Sequence, residues 1–194
     1  MIIGVTGLIG SGKSTAARML GDMGAAHIDA DKIAHEVVVD HPALLKKLVR
    51  RFGRAILTES GRLSRPRMAE AAFADDNSRR ELNEITHPYI VREIRRQIKQ
   101  LSRRCEHVIV DAALLLGSVI EKEMDCILVV HAGQKTRLQR LQVRGMTRPD
   151  ALRRMRGQLP LAEFRRRADR LILNNGSPAA LRNKLAAFLK KIPL

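Results

Sequence analysis

The chain has 194 residues, 45% hydrophobic and 29% charged, a balance that suits one sizeable core with room for a small subdomain. No apolar run approaches the roughly 20 residues that span a bilayer, and the N-terminus reads as a strand rather than a signal peptide, so a cytoplasmic protein with no membrane partner is expected. Lys plus Arg 36 against Asp plus Glu 20 gives a net charge of +16. That excess favours polyanionic partners, but 3% aromatic residues with no Trp offer little stacking surface for single-stranded nucleic acid.

The first element is the apolar run IIGVT at 2 to 6, followed by GLIGSGKST. Gly7, Gly12, Lys13 and Ser14 have the spacing of a phosphate-binding P-loop, placed after a predicted strand and before a predicted helix, as the mechanism requires. Backbone N–H groups and the positive end of the helix over 12 to 23 would face phosphates, with Gly7, Gly10 and Gly12 allowing close approach. Lys13 would reach the transferred phosphate, Ser14 would put its hydroxyl on Mg²⁺, and Thr15 would assist in the first turn. A nucleotide user is therefore expected, with ATP and Mg²⁺ as cofactors.

AAHI at 25 to 28 predicts a second strand, after which Asp29 and Asp31 would project from a short loop. One of them could orient the proton of an attacking hydroxyl, or either could simply cap the helix that follows at about 31 to 39. Several helices are expected between Pro42 and Arg104, where THP at 86 to 88 suits a helix start with proline at its first position. HVIV at 107 to 110 predicts the third strand. Asp111 at its end is either an acid holding magnesium through water or a plain strand-terminal acid.

CILVV at 126 to 130 predicts the fourth strand, and the helix over 133 to 144 carries Arg137, Arg140 and Arg144 three and four apart, along one face. Such a row is either a solvated surface or a source of charge for a transferring group. Lys135 to Arg170 holds twelve Lys or Arg against three acids, with a basic helix pair inside 148 to 168. RLIL at 170 to 173 predicts the fifth strand, then Asn174, Asn175 and Gly176 and a last helix over 178 to 190. Cys105 and Cys126 lack metal-ligand spacing and read as buried thiols.

Alternating strands and helices predict an α/β fold of the P-loop NTPase kind, a five-stranded parallel sheet flanked by helices. All five strands would then leave at one carboxyl edge, which gathers the P-loop, the acids, the arginine row and the Asn-Asn-Gly segment where ligands bind.

Taken together, GLIGSGKST, IDADKIAHEVV, LNEITHPYI, the 134 to 144 stretch, Gln158 and ADRLILNNGS resemble the dephospho-coenzyme A kinases, in order and over nearly the whole chain. The resemblance implies transfer of the ATP γ-phosphate to the ribose 3′-hydroxyl of dephospho-coenzyme A, the last step of coenzyme A synthesis. It implies that Asp31 orients or deprotonates that hydroxyl, that Arg140 is a lid arginine acting on the phosphates with Arg144 a second match, and that Arg65 and His87 contact the acceptor. Gly10, Ser11, Gly12, Lys13, Ser14 and Thr15 take the P-loop roles, and Asn174, Asn175 and Gly176 match the loop near the adenine. It implies a nucleotide-binding core over 1–40, 105–132 and 169–194, a helical acceptor-binding domain over 41–104 and a lid over 133–168.

The pattern departs from that family at AALLLGS, where Ala113 replaces a usual proline and Gly117 a usual acid, and at Gly145, where an acid often follows the lid arginine. Rival readings are a kinase of another nucleoside or nucleotide and an ATP-dependent nucleic-acid-binding protein. The expected assembly is a monomer or weak homo-oligomer.

Overall fold

The apolar run IIGVT forms β1 (Ile2–Thr6) at the centre of a sheet and is buried on both faces. Ile3 and Val5 point into one core, while Gly4 leaves room on the other face for Leu115 and Met124; a Cβ there would lie 2.5 Å from Leu115 Cδ2. The computed structural model describes residues 1–192, apart from the side chains of Val39 and Asp40. Within them the chain divides into two compact units, Met1–Asp29 with Ile98–Leu194, and Ala30–Gln97.

The first unit holds the sheet. Its other strands are β2 (Ala26–Asp29), β3 (Val108–Asp111), β4 (Cys126–His131) and β5 (Arg170–Leu173), in the order β2-β3-β1-β4-β5 with every pair parallel. β2 and β3 each lie one residue later than the sequence pattern suggested. Their pairing decides this: Ala26 N donates to His107 O at 2.9 Å, and the register then aligns Asp29 with Asp111 at the carboxyl edge. Both acids are thus strand residues, not loop residues.

Helices α1 (Lys13–Asp22) and α9 (Pro178–Leu189) cover one face through Ala16, Ala17, Leu20, Leu181, Leu185 and Phe188. On the other face Leu8 and Val129 meet Phe164 of α8 (Leu161–Arg167). Parallel strands buried on both sides read as continuous apolar runs, which is why β1, β3 and β4 were recognisable. Also in this unit are α6 (Gln134–Val143) and α7 (Arg148–Arg156), the latter capped by Thr147, whose Oγ1 accepts from Asp150 N.

The second unit comprises α2 (Ala30–Asp40), α3 (Pro42–Phe52), α4 (Arg65–Ala72) and most of α5 (Asp76–Leu101). Val37, Leu44, Leu48, Ile56, Met68 and Ala72 form its own core. Two expectations fail here. β2 runs straight into α2, so Asp31 lies in the first turn of a helix and not on a loop. Pro88 does not start a helix but lies inside the 26-residue α5. Proline there leaves one carbonyl of the preceding turn without its N–H; Leu82, Ile85, Tyr89 and Ile90 pack on the core on both sides of it, and that burial carries the helix through. The compact unit also begins at Ala30, before the expected boundary at 41.

Candidate active site

The loop between β1 and α1 is shaped by glycine. Gly10 has φ 76° and Gly12 φ 94°, conformations that L side chains rarely adopt, and a Cβ on Gly7 would lie 2.2 Å from Val130 O. Gly12 precedes Lys13 without a capping side chain, so the first N–H groups of α1 stay available to an anion.

Three distant side chains hold this loop. Asn174 Nδ2, buried just past β5, donates to Ser11 O at 2.8 Å; Arg140 Nη1 of α6 donates to the same oxygen at 3.1 Å; Gln158 Oε1 accepts from Ile9 N at 2.8 Å. Asn175 Oδ1 accepts from Gly133 N at 2.8 Å, tying the β5–α9 turn to the start of α6. The Asn-Asn-Gly segment and the P-loop are therefore one hydrogen-bonded construction at the sheet edge.

Lys13 Nζ stands 2.6 Å from Asp111 Oδ1, with only 2% of the Asp111 side chain exposed. His27 Nε2 lies 3.8 Å from the other carboxylate oxygen. Burial pushes the Asp111 carboxyl up, but the nearby His27 ring and the Lys13 ammonium outweigh it and hold the group below its usual range. His27 had no sequence signal, since it sits one residue inside β2 where only the register brings it to Asp111.

Two cavities open beside the loop. One of about 460 Å³ is lined by Gly12, Thr15, Arg140, Arg144, Asn174 and Gly176 together with apolar Val143, Pro178 and Leu181, which suits a flat ring with a phosphate tail. The other, about 300 Å³, is formed by Gly7 to Thr15 with Arg18, Ala113, Arg144 and Gln158. Ser14 is exposed on the first turn of α1.

The predicted arginine row divides. Arg140 and Arg144 belong to the first cavity, whereas Arg137 is buried and lines a separate one. Arg137 shares that separate cavity with Met155 and Arg156 of α7 and Leu161 of α8, an arrangement that three-residue spacing does not foretell. Of the expected acids and bases in the second unit, Asp31 is exposed and its carbonyl meets His35 Nδ1 at 2.6 Å. Arg65 Nη2 donates to His35 O at 2.8 Å, and His87 is exposed midway along α5. Cys126 is buried and Cys105 half-buried; both are free thiols.

At Gly117, where the sequence lacks an acid, Glu121 Oε2 accepts from the Gly117 N–H at 2.5 Å and from Arg167 Nη1 at 2.8 Å. A carboxylate thus reaches this turn from four residues further on.

The family model described as dephospho-CoA kinase matches residues 1–180. A dephospho-CoA kinase of Carboxydothermus hydrogenoformans is 40% identical over 193 residues, covering 98% of this chain and 93% of its own, and one of Halalkalibacterium halodurans is 37% identical, covering 98% and 96%. Among solved structures, the dephospho-CoA kinase of Campylobacter jejuni has a TM-score of 0.76 and 25% identity, over 98% of this chain and 96% of its own. A shikimate kinase of Acinetobacter baumannii, at TM-score 0.51 and 17% identity over 97% and 90%, shares the fold.

Proposed function

Since the chain belongs to the dephospho-CoA kinase family and so phosphorylates dephospho-coenzyme A with ATP to complete coenzyme A, we propose that its P-loop, its arginines and Asp31 divide that transfer among them. The observation that carries the reading is the Lys13 ammonium held 2.6 Å from Asp111 beneath an uncapped helix start. That ammonium is positioned to exchange a protein carboxylate for a nucleotide phosphate. Phosphoryl transfer demands alignment and neutralisation of charge more than covalent help.

Lys13 and the α1 N–H groups bind the β- and γ-phosphates, and Arg140, already anchored on the Ser11 carbonyl, steadies charge on the group in flight. Arg144, Thr15, Asn174 and Gly176 frame the nucleotide at the 460 Å³ cavity, and Asn175 holds the turn beside it through the Gly133 N–H. The segment 133–168 serves as a lid over it, shielding the reaction from water. Asp31 accepts or orients the proton of the ribose 3′-hydroxyl, and Arg65 and His87 contact the acceptor on the helical unit.

The donors fit magnesium. Ser14 offers an exposed hydroxyl and Asp111 a carboxylate, and among the described residues no trio of acidic, His or Cys side chains forms a protein cage. Few protein oxygens, with phosphate and water completing the shell, is the Mg²⁺ habit. When bound, the ion offsets charge on the terminal phosphates.

Asp31→Asn tests the acceptor role. Turnover falls on the order of 10²- to 10⁴-fold, the range of general-base contributions, while ATP affinity by calorimetry stays within about twofold. Unchanged turnover removes Asp31 from the mechanism.

A further inference from the structure

A further cavity of the sheet unit, about 480 Å³, lies between the end of β4, α6 and the α7–α8 turn, and Lys13, Asp111, Arg140 and Arg144 are not among its lining residues. Arg137 lines it with at most 9% of its surface exposed, and its Nε and Nη1 atoms are sealed from solvent without a hydrogen-bond partner. His131 lines it too, with Nδ1 in the same condition. Arg156 stands at an exposed position on the same wall, and no acidic side chain is among the lining residues.

A buried guanidinium without a counter-charge is costly, and buried polar atoms almost always have partners. Two such side chains share one cavity. Those sealed atoms gain only a counter-charge from an occupant of the cavity; Arg137 Nη2, which is outside the sealed pair, is the donor left to meet it, and a tetrahedral oxyanion small enough for the space supplies both the charge and an acceptor. We propose that this cavity is a second phosphate-binding site, separate from the P-loop, which takes inorganic phosphate or the phosphoryl end of a small monoester between Arg137, His131 and Arg156.

Burial, followed by the neighbouring Arg137 and Arg165 charges, holds the His131 imidazole below its usual range. Its ring adds one N–H donor beside the Arg137 guanidinium. The site shares its walls with the P-loop. Gln158 accepts from Ile9 N, Leu8 lines the cavity, and the Arg137 carbonyl lies where a Cβ on Gly10 would come within 2.9 Å. Occupancy of the cavity thus bears on the loop from behind.

The test is titration of inorganic phosphate, and separately methyl phosphate, into wild type, Lys13→Ala and Arg137→Gln, at ionic strength fixed with chloride and without magnesium. The expected result is a binding phase that persists in Lys13→Ala and weakens about tenfold or more in Arg137→Gln, the scale of losing charge-assisted bonds. Arg156→Gln, at an exposed position that leaves the core intact, weakens the same phase to a smaller degree. Without phosphate, Arg137→Gln melts higher than wild type because an unpaired buried charge is gone; with phosphate that order narrows. Equal phosphate affinity in wild type and Arg137→Gln, or loss of all binding in Lys13→Ala, overturns the proposal. Binding of phosphate but not methyl phosphate identifies the free ion as the ligand; equal binding admits the monoester. Coenzyme A formation is assayed independently, so failure here leaves the kinase reading untouched.

Discussion

Asp111 shows how one residue couples the fold to the site. Its folded carboxyl lies below the ordinary 3.8 because His27 and Lys13 favour the ionised form more than burial opposes it. A depressed folded value contributes stability that is present above the unfolded value and is lost as pH falls through the folded one. Asp111→Asn leaves Lys13, whose side chain is 11% exposed, without its carboxylate. It costs about 3 kcal/mol at neutral pH, the scale of breaking a buried pair from one side. Denaturant midpoints at pH 7 and at steps below 3.8 check this: the gap between wild type and variant narrows as pH falls, and a constant gap contradicts the ion-pair account. The turn at Gly12, Lys13 and Ser14 between β1 and α1 was legible because its glycines and the helix that follows have a fixed sequence spacing. His27 and Arg137 were not, because the significance of each comes from partners brought in by the sheet register or by α7 and α8.

Elements were legible where burial has a period and hidden where tertiary contacts decide. The five strands are apolar runs between breakers, found to within a residue. The passage from β2 straight into α2 and the course of α5 through Pro88 had no local signal, since helix packing outweighed the breaker. The same scale holds the P-loop tether. Asn174 and Arg140 come from different elements and meet on Ser11 O. Asn174→Ala removes a buried hydrogen bond and lowers stability by about 1 to 2 kcal/mol. With the loop held by Arg140 and Gln158 alone, ATP affinity falls about tenfold, with a larger effect on KM for ATP than on kcat. Thermal melting and initial rates over an ATP series check this, and an unchanged KM contradicts the tether.

Across the whole molecule the basic excess is partly structural. Arg153 pairs with Asp150 and Arg166 with Glu163, so part of the Lys135 to Arg170 run knits its own segment together, while Arg167 ties it to Glu121 and Arg140 holds the nucleotide loop. No helix among the described residues is long and apolar enough to cross a membrane. The alternation of elements foretold a parallel sheet; strand order came only from pairing between distant segments, which no local pattern encodes. The central claim is that this edge transfers phosphate to dephospho-coenzyme A. The most direct test is incubation with Mg-ATP and dephospho-coenzyme A, with product identified by mass spectrometry beside adenosine and no-acceptor controls. Acceptor-dependent formation of coenzyme A and ADP in equal amounts is the predicted result; ATP binding by folded protein with no coenzyme A formed contradicts the account.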